Sequence, residues 1–427
     1  MKEKKKLGLA LSGGGYRAAI YHLGTLIKLK ELGILNKIDV ISSNSGGSIT
    51  AACYSLYHEN FEEFEQKLKT GIKKGIISRV LISPRFLVPL GLFIALFTSR
   101  SWIPYNLPSF VFSLVNFLGI IVLILFQFKL FPFSKIIERK YNRIFFNGKK
   151  LKDLSNSFKT TINSTNIETG RDFYFSKDTM SDSYYKCEKG ILFENKDFPV
   201  ARAVMASSCV PFAFTPVRIK KKYFTNEKDY YKVKPKLVDG GVYDNQGIHK
   251  LTFLTSSSYC ENVIVSDAGN FLSVDKWSFN ILFLLIRISS VFMTRIKNFQ
   301  MMTNLYSKHT NSIVAYQSLG FDLESSIDEF IKMLKNGYIR DEVVDAHNFD
   351  KNLIQNKEWK SIKEHLIKSI DFYQILKLGC SENELKIARK VKTGLSALSE
   401  KKISALIKHA EAITEMQVKL FLPQILK

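Results

Sequence analysis

The 427 residues suffice for one large core or two ordinary domains. Hydrophobic residues make up 46% and charged residues 24%, which excludes a wholly disordered chain. Lys and Arg total 62 against 39 Asp and Glu, a formal charge of +23, so the expected partner is anionic: a nucleic acid or an anionic membrane face.

In chain order, a basic start is followed by residues 7–11, which read as a short buried strand. Ser12-Gly-Gly-Gly15 breaks it, and residues 18–32 have helical periodicity. Residues 38–43 read as the next strand, Asn44-Ser-Gly-Gly47 as a second turn, and residues 49–57 as a second helix. That alternation predicts an α/β fold with a central, mostly parallel sheet flanked by helices. The opening does not have the apolar core and cleavage site of a signal peptide, which argues against secretion by that route.

Residues 76–135 break the pattern. Residues 86–97 are one apolar run and residues 110–128 a longer one, predicting an apolar helical insertion between α/β units. Residues 151–242 alternate strands with loops, and residues 262–267 read as a buried strand. Residues 277–293 are a second Phe-rich stretch with Arg287 inside it, equally an interfacial helix or a core helix. Beyond residue 326 the pattern is helical to the end. Five cysteines at irregular spacings, with no CxxC pair, suggest a reducing compartment and neither a zinc site nor a disulfide framework. No metal or cofactor is expected.

Three clusters carry chemistry. In Gly8-Leu-Ala-Leu-Ser-Gly-Gly-Gly-Tyr-Arg17, three glycines between strand and helix expose backbone N–H groups at a helix N-terminus. Such a loop binds a phosphate or a developing oxyanion, with Arg17 as a cation close by. It also satisfies the G-x-G-x-x-A dinucleotide fingerprint, and a plain tight turn would read the same. Ser43-Asn44-Ser45-Gly46-Gly47 places a serine in a sharp strand-to-helix turn, the nucleophile-elbow arrangement. A Ser/Gly-rich helix cap is the alternative. In Leu237-Val-Asp-Gly-Gly-Val-Tyr-Asp-Asn245, Asp239 ends an apolar strand, where partial desolvation raises a carboxylate's basicity. A plain Asp-Gly turn is the alternative, and Asp244 and Asn245 compete for the role.

Together these clusters resemble the patatin-like phospholipases: a glycine-rich loop with a following Arg, a Gly-x-Ser-x-Gly elbow and an Asp-Gly-Gly turn. Ser43 stands where the elbow usually has glycine. A fourth block, Ala206-Ser-Ser-Cys-Val-Pro-Phe-Ala-Phe-Thr-Pro216, resembles the family's stretch before the aspartate, and Lys392-Thr-Gly-Leu-Ser-Ala-Leu-Ser399 is a weaker C-terminal echo. The resemblance implies a three-layer sandwich over residues 1–325, interrupted by the insertion at about 76–135, with a helical C-terminal region at 326–427 packed on it. It implies a lipid acyl hydrolase with a catalytic dyad and no triad. Ser45 is the nucleophile, Asp239 its base, and the N–H groups of Gly13, Gly14, Gly15 and Gly46 hold the oxyanion. Arg17 steadies the loop or meets a lipid phosphate. The substrate is a phospholipid or other acyl lipid.

Three other readings are weighed. A Ser-His-Asp triad would need His22 or His249, and both read as surface or packing histidines. A dinucleotide-binding oxidoreductase needs an acid at the end of the second strand, where Ser42-Ser43 stands. A catalytically weak membrane-binding protein on the same scaffold rests on Ser43 alone. Nucleic acid is not expected as a partner, since no binding motif accompanies the charge.

As a helix, residues 110–128 would be about 28 Å long, near the hydrocarbon thickness of a bilayer. A single crossing between Ser45 and Asp239 would put nucleophile and base on opposite sides. The insertion is therefore expected to cross twice or not at all, with a re-entrant or interfacial hairpin favoured over a lid. Arg79, Arg85, Lys129, Lys135, Arg139 and Lys140 flank it, which suits the anionic, cytoplasmic side of a membrane.

Overall fold

In the computed structural model, residues 5–103, 108–269, 280–307 and 310–426 are described. Among them, nine strands form one sheet: β1 (Leu7–Leu11), β2 (Val40–Asn44), β3 (Lys159–Asn166), β4 (Arg171–Phe175), β5 (Met180–Asp182), β6 (Val217–Arg218), β7 (Lys236–Asp239), β8 (Asn262–Asp267) and β9 (Ile313–Ser318). Five run parallel in the order β3-β2-β1-β8-β9. β1 is central, and its five positions are all buried, as strands covered on both faces require. The rest extend the sheet antiparallel from β3.

One register positions the site. β2 pairs with β3 as far as Asn44↔Asn163, and β7 pairs with the next stretch of β3, Ser164↔Asp239 to Asn166↔Leu237. β4 pairs with Ile162–Asn166 and so takes the other edge of β3. β2 and β7 therefore lie end to end along one edge of β3. The chain leaves β2 at Ser45 and leaves β7 at Asp239, so the two ends meet.

Helices cover both faces. The helix α1 (Gly15–Glu31) follows β1, and α2 (Gly46–Tyr57) follows β2. α1 is buried nearly throughout because the C-terminal helix Glu400–Phe421 lies against it, with Leu406, Ala410 and Ile413 in the same core as Ile20, Leu23 and Leu26. Each such Leu or Ile contributes about 1.5–3 kcal/mol through burial. Residues 326–426 thus share the core of the sheet.

The apolar insertion forms two helices, Pro84–Phe97 and Ser109–Leu130, which touch where Leu96 meets Gly119. Phe86 at the start of the first and Phe131 just beyond the second lie 5.6 Å apart, so the pair is a hairpin on an aromatic foot. The first has no buried residue and the second only Phe112 and Gly119. The hairpin therefore stands outside the core. The stretch beginning at Ser109 is, among the described residues, the one helix long and apolar enough to cross a membrane.

Two expectations change. The second Phe-rich stretch is a helix, Ile281–Leu305, that runs well past residue 293, with Leu284, Ile288 and Phe292 exposed; residues 277–279 lie outside the described residues. β9 has no counterpart in the sequence reading, and neither does the helix Val200–Ser207 inside the mixed stretch. Ile313-Val-Ala-Tyr-Gln-Ser318 becomes a buried edge strand by pairing with β8.

Candidate active site

The site forms at the carboxyl ends of the parallel strands, where open α/β sheets place their loops. Ser45 follows β2 with φ 47° and ψ −117°, a backbone strain of about 1–3 kcal/mol for a residue with a Cβ. Strain of that kind persists only when the surroundings impose it. Here the Ser45 N–H donates to the Ser207 hydroxyl at 2.8 Å, and the Ser45 carbonyl accepts the Ser48 N–H at 3.0 Å. The Gly47 N–H donates to the Ser12 carbonyl at 3.1 Å. Gly46 lies against the glycine loop so closely that a Cβ there would overlap the Gly15 carbonyl. Ser43 fits without strain: its hydroxyl donates to the Thr161 carbonyl at 2.9 Å and is approached by the Ser48 hydroxyl at 3.2 Å.

Asp239 is 5% exposed and Ser45 7%. The Asp239 N–H donates to the Cys209 carbonyl and its carbonyl accepts the Thr165 hydroxyl, both at 2.8 Å. Its carboxylate accepts the Gly241 N–H at 2.7 Å, and the Ser45 hydroxyl lies near enough to favour its ionised form. Burial pushes its pKa up to about 6, with those two groups opposing the rise.

The glycine loop lies opposite. The Gly13 N–H is spent on the Asn245 carbonyl at 2.9 Å, so Gly13 is at the site but is not a free donor. This departs from the expectation of four equivalent donors. The N–H groups of Gly14, Gly15 and Gly46 donate to no described residue. Gly15, with φ +61°, runs against Gly394 in the weaker C-terminal echo, and the Tyr16 N–H donates to the Gly394 carbonyl at 2.8 Å. Arg17 belongs to the same strap: its guanidinium donates to the Val391 carbonyl at 3.3 Å, and burial lowers its pKa against the opposing charge of Asp267. Of its two expected roles, the contacts fit steadying the loop.

Asp244, His22 and His249 are occupied elsewhere. Asp244 accepts the N–H groups of Gln246, Gly247 and His249 at 2.8–3.1 Å, which makes it the cap of a turn. His22 is fully buried between the Ser266 hydroxyl (2.8 Å) and the Ser12 carbonyl (2.9 Å), and burial lowers its pKa to about 4. His249 meets Tyr243 at 3.4 Å and stacks on Phe253. The end of β2, Ser43-Asn44, offers no acid for a ribose. Among the described residues no three His, Cys, Asp or Glu side chains are grouped to hold a metal ion.

The sequence reading missed Ser207, Thr165 and the Val391–Leu395 strap as site residues. Ser207 lies in the quoted Ala-Ser-Ser block, which was the available signal. Thr165 had none.

The sequence model of the patatin-like phospholipases matches residues 9–252, more than half of the chain. The chain belongs to the patatin-like phospholipase family. Membership places it among lipid hydrolases and makes lipids its substrate class. No curated protein sequence matches this patatin-like phospholipase. Solved structures similar to it include VipD from Legionella pneumophila, at 14% identity over 99% of this chain and 86% of that one, with a TM-score of 0.34. Another is human GIVD cytosolic phospholipase A2 in complex with methyl gamma-linolenyl fluorophosphonate, at 12% identity over 99% of this chain and a TM-score of 0.47. The patatin-like chain spans 58% of that human enzyme's length. ExoU from Pseudomonas aeruginosa, in complex with SpcU, matches at 12% identity over 94% of this chain and 76% of that one, with a TM-score of 0.24.

Proposed function

We propose that this patatin-like phospholipase is a serine carboxylic-ester hydrolase of phospholipase A or lysophospholipase type, with Ser45 as nucleophile and Asp239 as its base. The observation that carries the reading is the convergence of Ser45, in an elbow at positive φ, with the buried Asp239 at the adjoining ends of β2 and β7.

Ser45 Oγ attacks the ester carbonyl carbon while its proton passes to Asp239. The tetrahedral oxyanion is held by the N–H groups of Gly14, Gly15 and Gly46. Collapse of this intermediate breaks the bond to the alcohol, which takes the proton back from Asp239 and leaves an acyl group on Ser45. Water, deprotonated by Asp239, attacks the acyl carbonyl; the fatty acid leaves and Ser45 regains a proton. A pKa near 6 keeps Asp239 ionised at neutral pH yet more basic than a solvated carboxylate. The apolar hairpin and the basic residues at its foot support action at the anionic, cytoplasmic face of a membrane, with the enzyme peripheral or held by the hairpin.

The test is turnover of phospholipid in mixed micelles together with covalent labelling by a fluorophosphonate. Ser45→Ala is expected to lose both. Full turnover by that variant would overturn the assignment. Ser43 was the sole support for a silent scaffold, and its two hydrogen bonds remove that support.

A further inference from the structure

A pocket of about 720 Å³ opens at the foot of the apolar hairpin, outside the catalytic site. Lys129, Lys135, Arg139, Arg218, Lys220 and Lys236 line it, and all six are exposed. None of them has an ion-pair partner among the described residues. The pocket's single carboxylate, Glu138, is already spent on Arg202 at 2.9 Å. Its apolar wall includes Phe128, in the last turn of the helix Ser109–Leu130.

We infer that this pocket binds the phosphate-bearing headgroup of an anionic phospholipid while the hairpin lies in the acyl region of the same bilayer. Six unpaired cations around one cavity oppose one another unless an anion joins them. A phosphate diester or monoester, with several acceptor oxygens, fits Arg and Lys donors arranged in this way. The lipid source follows from position. The pocket sits where an exposed apolar helix of 22 residues ends, so a headgroup in it is continuous with chains along Phe128 and the helix beyond. A free phosphate ester or an RNA strand would leave that helix without a partner.

The site is also joined to the catalytic machinery, and this part rests on the hydrolase reading. Ser134 and Thr215 line the pocket, and the Ser134 hydroxyl donates to the Thr215 carbonyl. The Cys209 thiol meets the same carbonyl at 3.1 Å, and the Cys209 carbonyl holds the Asp239 N–H. Lys236 and Asp239 are the two ends of β7. An occupied pocket therefore braces the strand that carries the base.

The test compares the full chain with a Lys135→Glu/Arg139→Glu/Lys220→Glu variant. Both are floated with vesicles of phosphatidylcholine alone or with added phosphatidylglycerol, and both are assayed on a soluble short-chain nitrophenyl ester. The parent is expected to bind phosphatidylglycerol vesicles more tightly than neutral ones. The variant should lose at least about tenfold of that binding while hydrolysing the soluble ester at the parental rate. Equal binding by parent and variant, or no preference of the parent for phosphatidylglycerol, would overturn the inference. Displacement of the parent from vesicles by soluble glycerol phosphate or by an RNA oligonucleotide at matched phosphate would overturn the lipid assignment. A parent that binds as expected but hydrolyses no ester would leave the headgroup site standing and sink the hydrolase reading instead.

Discussion

The Ser207 hydroxyl accepts the Ser45 N–H at 2.8 Å, and the Ser207 carbonyl accepts the Gly240 N–H at 3.0 Å. One residue thus holds both the strained elbow and the turn that follows Asp239. Ser207→Ala leaves the Ser45 N–H buried without its acceptor and takes a partner from the Ser48 hydroxyl. The expected cost is about 1–3 kcal/mol of stability in urea unfolding. The rate of fluorophosphonate labelling should fall with it, and kcat should fall more than KM rises. Parental labelling would show that Ser207 does not position the elbow.

Asp239→Asn separates stability from activity. Asp239 is buried, and its folded pKa of about 6 lies above its ordinary value, so the folded state binds the proton more tightly than the unfolded chain. Its contribution is fullest below the unfolded pKa, about 4, and is lost as pH rises through about 6. At neutral pH the ionised group therefore costs stability on the order of 3 kcal/mol. The Asn variant keeps an acceptor for Gly241 but cannot take a proton, so it should melt a few degrees higher at neutral pH and be inactive. Parental kcat/KM should fall below a pKa near 6. A limb that survives in a His22→Gln variant assigns it to Asp239, since His22 is held neutral down to about 4.

Gly46→Ala tests the contact between elbow and glycine loop. The added methyl would overlap Gly15 backbone, which has no side chain to swing aside. The loop donors must then move relative to Ser45, and misplaced oxyanion donors cost about 10²–10³ in kcat. Crystallography or amide exchange of the variant should find the change confined to residues 13–16 and 45–47. Near-parental kcat would remove Gly14 and Gly15 from the proposed oxyanion hole.

Lys297→Met tests how the helix Ile281–Leu305 is anchored. Lys297 pairs with the fully buried Asp267 at 2.5 Å, and Tyr316 donates to the same carboxylate at 2.6 Å. Burial by itself would raise Asp267, but Lys297, Tyr316 and the Gly269 N–H outweigh it and hold the pKa at about 2. Removing Lys297 leaves an uncompensated buried charge, with an expected loss of about 3–5 kcal/mol. The variant's deficit should narrow as pH falls and Asp267 takes up a proton, and adding Asp267→Asn should restore part of the stability. A loss that does not change with pH would point to lost packing of the Lys297 stem instead.

Much of the site was legible in the sequence because its parts are local. A glycine run after an apolar pentapeptide, a serine in a Ser/Gly turn and an aspartate ending a strand are each set by a few adjacent residues. Strand β8 was legible for the same reason, whereas β9 becomes a buried edge strand by pairing with β8. The spent donor at Gly13, the strap against Gly15 and the Ser207 brace involve residues hundreds of positions apart or in another block, and no local pattern encodes them.

The sequence by itself determined the candidate residues: the glycine loop, Ser45 and Asp239 all follow from turn chemistry and apolar runs. Only the tertiary structure decided that Ser45 and Asp239 meet. Their meeting depends on β2 and β7 sharing one edge of β3, with Asn44↔Asn163 followed at once by Ser164↔Asp239. Strand register is a property of pairing between distant segments, and a slip of one residue would turn Asp239 to the opposite face of the sheet.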